Sequence, residues 1–270
     1  MTKVDARAGR RRAAATLAAA VGLAPARGRA GTPTTTELTA VADATIFAEQ
    51  GGGTAYDAVA DGQGGSLWTS VLAAGVVRRA LFRFDLTALP PGSQVLEARV
   101  EAFMIRLREP QALALHRISA AWGEGPSNGG DAGVGAAAGT GDCTWTHRFW
   151  PSQTWAQRGG DFTASASAST TVSGWPAPVT WSSTTSLVGD VQTWVDAPAT
   201  NHGWMMIGTE SGTQNATRLA SRQNATPAAR PRLVLRWLPP SLTDGDVPLP
   251  PWALALLGGT FAAALWRRRR

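Results

Sequence analysis

Short β-like runs alternate with turn signals from about residue 40 to residue 238, the spacing of an all-β chain. Ala80, Phe82, Phe84 and Leu86 alternate with Leu81, Arg83 and Asp85, which predicts a half-buried strand over 79–86. Leu233, Leu235 and Trp237 alternate in the same way with Arg232, Val234 and Arg236. Further strands are predicted over 44–49, 95–107, 112–118, 161–172, 179–183, 204–209, 217–221 and 233–237. Within 95–107 the parity changes. Leu96, Ala98 and Val100 oppose Glu97, Arg99 and Glu101, yet Phe103, Ile105 and Leu107 fall on the charged parity. One extra residue flips the faces of a strand, so a bulge is expected near 101–103.

One helix is predicted. Leu187, Val191, Trp194 and Val195 recur at helical spacing, and Asp196-Ala197-Pro198 ends the run,. No strand–helix repeat of ~30 residues appears, which argues against a parallel α/β fold. The fold class expected is all-β, a jelly-roll-like antiparallel β-sandwich with one short helix. The glycine- and alanine-rich stretch 123–143 reads as a long insertion loop,.

Charge changes the picture at the ends. The chain of 270 residues has a formal net charge of +6 and a pI near 11.0, which invites a nucleic-acid reading. Residues 1–30 alone hold seven basic residues and one acid, and residues 267–270 are all arginine. The body, 31–266, carries 14 arginines against 18 acidic residues. A nucleic-acid binder needs its cationic surface on the folded body, so no nucleic-acid partner is expected. The one cysteine, Cys143, excludes an internal disulfide and a multi-thiolate zinc site,.

Both ends read as addresses. Arg10, Arg11 and Arg12 precede an apolar run over 13–24, broken only by Thr16, and Ala24-Pro25-Ala26 follows as a small-x-small site. These are the three parts of a secretory signal peptide, assigned to 1–30 and implying signal peptidase. The apolar run is too short for a bilayer, which needs ~20 residues. At the other end, Val247 to Trp266 carries no charge. Pro251 suits the first turn of a helix. A helix over 251–266 would be about 24 Å long, slightly short of a ~30 Å hydrocarbon core. Trp252 and Trp266 suit the interfaces, and Arg267, Arg268, Arg269 and Arg270 would stay cytoplasmic,. The organisation expected is signal peptide 1–30, β-domain 31–240, and 241–270 as a Pro-rich linker, a single hydrophobic helix and an Arg tail.

The tail resembles the PEP-CTERM group of bacterial sorting signals, carried here by Val247-Pro248-Leu249-Pro250, the apolar helix and the arginine cluster. Pro251 stands where that motif usually has alanine. The resemblance implies an exosortase-type sorting enzyme and a Gram-negative host that makes exopolysaccharide. The body resembles the DNRLRE-domain family. The resemblance rests on Arg79-Ala80-Leu81-Phe82-Arg83-Phe84-Asp85-Leu86 with Leu89-Pro90-Pro91-Gly92, and on Leu115-His116-Arg117-Ile118 leading to Trp122-Gly123-Glu124-Gly125. It also rests on Gly141-Asp142-Cys143-Thr144-Trp145-Thr146-His147-Arg148-Phe149, on Val191-Gln192-Thr193-Trp194, and on Arg230-Pro231-Arg232-Leu233-Val234-Leu235. It implies an exported β-sandwich like a carbohydrate-binding module, with no catalytic residue of its own.

The residues offer little chemistry. Gly125-Pro126-Ser127-Asn128-Gly129 matches a nucleophile elbow, with Asp190 and His202 following in hydrolase order. The elbow requires a strand running straight into a helix, and this serine sits in a glycine-rich run. His116, His147 and His202 are far apart, so a metal site is not indicated. Asp57, Asp61 and Gly62 could offer oxygens to calcium, or form an ordinary polar turn. Glu97 and Glu101 flank Arg99, which predicts a salt-bridged solvated face rather than a catalytic acid pair. Cys143 is expected to be a small buried hydrophobe.

Trp145, Trp150 and Trp155 recur every five residues after the glycine-rich stretch. Indole faces can grip sugar rings, or fill a core. The expectation is a non-catalytic exported surface or matrix protein, with these three tryptophans as the candidate grip for extracellular polysaccharide. It would be anchored through the C-terminal helix in the membrane, facing the periplasm, until it is processed and passed to the cell surface. A secreted hydrolase and a ligand-free envelope component are the alternatives.

Overall fold

Alternating apolar positions fold residues 31–240, all but Ala74 of which the computed structural model describes, into an antiparallel β-structure. The expected signal peptide, sorting motif, apolar tail helix and terminal arginines lie outside the described residues. Ala30–Ser241 form one compact unit. In chain order the elements are β1 (Thr34–Glu49), β2 (Val59–Asp61), β3 (Ser66–Leu72), β4 (Val76–Phe84), β5 (Gln94–Leu107), β6 (Gln111–Arg117) and β7 (Ala136–Ala137). Then come β8 (His147–Phe149), β9 (Gln153–Thr154), β10 (Ala168–Val172), β11 (Ala177–Trp181), α1 (Thr185–Asp196), β12 (Trp204–Ile207), β13 (Thr217–Ala220) and β14 (Arg232–Leu238).

Two groups of strands are joined by β1 and β3. The first half of β1 pairs with β14, and the second half pairs with β4 after a register shift between Ala40 and Ala42. β14 continues to β5, and β11 lies along the other edge of β5, since Val100 is opposite both Leu233 and Trp181. On the other side, β4 pairs with β12, β12 with β6, and β6 with β10. β3 pairs with β13 in one group and β4 in the other.

The main core lies where the apolar faces of the two groups meet. It holds Ala80, Phe82 and Phe84 of β4, Leu113 and Leu115 of β6, and Trp204 of β12. These share the core with Ala98, Val100 and Met104 of β5, Trp181 of β11, and Leu233 and Leu235 of β14. Each Leu, Val, Met or Phe side chain among them, fully buried, stabilises by about 1.5–3 kcal/mol. The predicted helix is present as α1. The Thr184 side chain caps it by accepting from Leu187 N at 3.0 Å, and Leu187, Val191, Trp194 and Val195 form its buried stripe,. Pro198 follows, and the α-helical ladder ends before it,.

Several strand expectations are corrected. The parity of β5 does not change at 101–103: Ala98, Val100 and Met104 are all buried, while Phe103 and Ile105 are half-exposed beside Glu101. The register shifts fall instead beside Leu96 and Ile105. The strand expected over 161–172 starts only at Ala168, and Phe162 makes an isolated bridge to Ile118. β3 was not expected. It is buried along both faces, so its sequence has no alternation, and its polar residues bond inside, with Ser70 Oγ donating to Gln111 Oε1 at 2.7 Å.

The largest departure is at the glycine-rich stretch. Residues 118–162 fold back over the outer face of β4 and cover it with a second core. Ile118, Trp122, Cys143 and Trp155 pack there on Ala44, Ile46, Leu81 and Met205. Leu81, on the parity expected to face solvent, is therefore fully buried. Gly62 and Gly123 sit where backbone segments cross, at Glu124 O and Gly141 O respectively, leaving no room for a Cβ,.

Candidate functional site

The three candidate tryptophans do not form one platform. Trp155 is 5% exposed, and its Nε1 donates to Thr144 O at 2.9 Å inside the second core. A ring so enclosed presents no face to a sugar, and the expectation for Trp155 is corrected accordingly. Trp150 is half-buried and meets the edge of the His147 ring at 4.6 Å. Trp145 is half-buried at the surface of the second core and is the one that lines a groove.

That groove is organised by Arg79 of β4. Its Nε and Nη2 bind both oxygens of Glu210, at 2.6 and 2.8 Å, and its Nη1 donates to Gly159 O at 2.8 Å. The guanidinium lies 4.5 Å from the Trp145 ring centroid and 5.3 Å from that of Phe162. A planar, always-charged fork suits this double duty, pairing a carboxylate while stacking on rings. Arg158 is held likewise by Asp57, at 2.7 and 3.0 Å. Trp145, Glu49, Gln50, Arg158 and Glu210 line a depression of about 190 Å³. A second, of about 670 Å³, is lined by Arg79, Gln157, Arg158, Asp161 and Phe162. Periodicity points Arg79 outward from its strand, but nothing local in the sequence joins it to Glu210 or Trp145.

A carboxylate cluster sits elsewhere, under the glycine-rich stretch. Arg222 binds both oxygens of Glu124 through Nε and Nη2, and Arg222 N donates to Asp43 Oδ2 at 2.6 Å. Burial pushes the Asp43 carboxyl up to about 8, Glu124 adds repulsion, and the Arg222 backbone hydrogen bond and charge pull the other way. Burial likewise pushes Asp61 up to about 6. Such carboxyls keep their protons in the folded chain at pH values where the unfolded chain, near 3.8, has lost them. Their contribution is therefore greatest on the acid side and falls as pH rises from about 4 to about 8. Asp43→Asn is expected to flatten the melting temperature against pH between pH 5 and 8; an unchanged slope would show that Asp43 is ionised in the fold.

The hydrolase constellation is not assembled in the way its motif requires. Ser127 is buried, its Oγ accepts from Gly62 N at 3.3 Å, and its backbone N donates to Asp142 Oδ1 at 3.2 Å. No helix follows it before α1, so the strained strand-to-helix turn is missing. The Asp190 carboxylate is taken by Ser167 and Trp204, and the His202 carbonyl accepts from Trp122 Nε1. Asp57 pairs with Arg158, Asp61 Oδ1 accepts from Gly129 N, and no group of three or more His, Cys, Asp or Glu fit for a metal occurs among the described residues.

Cys143 is fully buried, and burial pushes its thiol well above the usual range. The expected salt-bridged face is present: Arg99 pairs with Glu101 at 2.8 Å, Arg236 with Glu97 at 3.0 Å, and Arg232 with Glu101 at 3.0 Å. No helix among the described residues is long and apolar enough to cross a membrane.

The chain matches no family model, and no curated protein matches it.

Proposed function

We propose that the chain is a non-catalytic, exported surface protein whose β-domain holds matrix polysaccharide, sorted through its C-terminal tail. In this reading the β-structure is a jelly-roll-like sandwich of the DNRLRE type. Signal peptidase and an exosortase-type enzyme process the ends, and the membrane holds the tail until then. The observation that carries the binding reading is the Trp145 groove: a half-buried indole beside Gln50, Glu49, Arg158 and Glu210, with Arg79 and Arg158 fixed by paired carboxylates. Pre-set polar groups around an aromatic surface match the hydroxyl-rich faces of neutral sugars without ordering cost. Further support comes from the acidic body between basic ends and from the engagement of Ser127 and Asp190 in structural hydrogen bonds.

The test is retention of the full chain on an immobilised neutral glucan. Trp145→Ala is expected to weaken binding by about 0.5–1.5 kcal/mol beyond lost contact area, while Gln50→Ala, at an exposed position, weakens binding without moving the melting temperature. Unchanged retention in both variants, with both still folded, would remove Trp145 from any sugar site.

A further inference from the structure

A different row of side chains crosses the sheet on β3, β13 and β5. Arg218 stands opposite Trp68 on β3 and opposite Arg106 on β5. Trp175, two residues before the start of β11, completes the row, with the Arg106 guanidinium 5.9 Å from its ring centroid. The order across the face is Trp68, Arg218, Arg106, Trp175. Trp68, Arg106, Arg108, Arg218 and Asp131 line one depression of about 220 Å³, and Trp175 stands beside it.

The row is unusual in charge. Like charges directly opposite on neighbouring strands repel, and Arg218 and Arg106 are such a pair. Arg218 has a partner, Asp131 at 2.5 Å, and stacks at 5.6 Å on Trp68. Arg106 and Arg108 are exposed and make no ion pair among the described residues. Behind them, Arg78 is fully buried with its guanidinium 5.8 Å from the Trp68 ring. Arg78 Nη2 and Trp68 Nε1 are buried donors with no acceptor among the described residues. Arg78 donates to the Gly133 and Val76 carbonyls and Arg218 to Ser66 Oγ and Asp131, which leaves three exposed or half-buried arginines around one carboxylate, although the body as a whole carries more acid than base.

Trp175 adds an exposed flat face. At 53% it is the most exposed of the large hydrophobic residues among the described residues, held between Gly174 and Pro176. Guanidinium forks bind carboxylates in two-point fashion, and an indole beside them offers a stacking surface to a ring. A depression of this size takes a group of the order of one sugar residue. A duplex would need a far more extended cationic surface.

We propose that Arg218, Arg106 and Arg108, backed by the buried Trp68 ring and flanked by Trp175, form an anion-recognition site that takes the carboxylate of a uronic acid residue in an acidic polysaccharide, with the Trp175 ring against the sugar. The choice of a polysaccharide rests on the function proposed above; the demand for an anion rests on the row itself.

The experiment is retention of the full chain on immobilised polygalacturonate, with neutral glucan and double-stranded DNA as separate columns and added salt as a variable. Wild type is expected to be held on polygalacturonate and released by salt. Trp175→Ala is expected to weaken retention about 2- to 12-fold. Arg106→Ala is expected to weaken it further, with Arg106→Lys between. Arg106 and Trp175 are exposed, so melting should not move. Equal polygalacturonate retention by wild type, Arg106→Ala and Trp175→Ala overturns the site. No polygalacturonate retention, with glucan still held through Trp145, overturns it while leaving the proposed function standing. Equally strong retention on DNA, lost in the same variants, overturns the sugar as ligand.

Discussion

Trp155→Ala is expected to destabilise the domain by about 3–5 kcal/mol, the range for removing a large buried aromatic. The ring is buried in the second core, which it shares with Ala44, Ile46, Leu81, Ile118, Trp122, Cys143 and Met205. Truncation would empty that volume and leave the Thr144 carbonyl without its indole donor. Because this second core fastens residues 118–162 to β4, the same change should free the segment that carries Trp145. Denaturant unfolding measures the loss, and proteolysis within 123–160 should accelerate in parallel. A loss below about 0.5 kcal/mol, the ordinary surface range, would show that the segment is not fastened through Trp155.

Asp190→Ala is expected to cost about 2–5 kcal/mol, as for leaving two buried hydrogen-bond donors without an acceptor. The Asp190 carboxylate accepts from Ser167 Oγ at 2.5 Å and from Trp204 Nε1 at 2.8 Å, and lies 3.5 Å from Arg117 Nε. Trp204 is fully buried and meets Trp194 at 4.5 Å and Phe84 at 6.2 Å. Losing Asp190 therefore strands two donors in the main core and loosens the seat of α1. Asp190→Asn keeps an acceptor and is expected to lose less. Equal melting temperatures for wild type and Asp190→Ala would show that the aspartate is not a structural member and would reopen its place in a triad.

The strands of the main core were legible because each buries one face. Ala80, Phe82 and Phe84, and likewise Leu233 and Leu235, carry that alternation plainly. α1 was legible from a four-residue apolar stripe. What periodicity could not carry is coverage of the second face. Leu81 looks solvent-facing in sequence and is fully buried, because residues about 40 to 75 positions further along the chain close over it. β3 was hidden for the same reason, being apolar or internally bonded on both sides.

Site legibility divides in the same way. Trp145 was visible as an aromatic beside a glycine-rich stretch, while its partners Arg79 and Glu210 meet only through the fold. No periodicity marks Trp175; the local signal for it is a tryptophan between glycine and proline in a turn,. The row it completes joins residues 68, 106, 175 and 218 by cross-strand register, which no linear pattern displays. The salt-bridged face of Glu97, Arg99 and Glu101 was legible because it lies within one strand.

The central claim, a domain that holds polysaccharide and leaves it intact, is tested by incubating the full chain with a soluble neutral glucan and sizing the mixture. The expected result is a complex that elutes early, weakens on Trp145→Ala, and returns polymer of unchanged length when the protein is removed. Polymer that shortens with time, or polymer and protein that elute independently at every concentration, would contradict it.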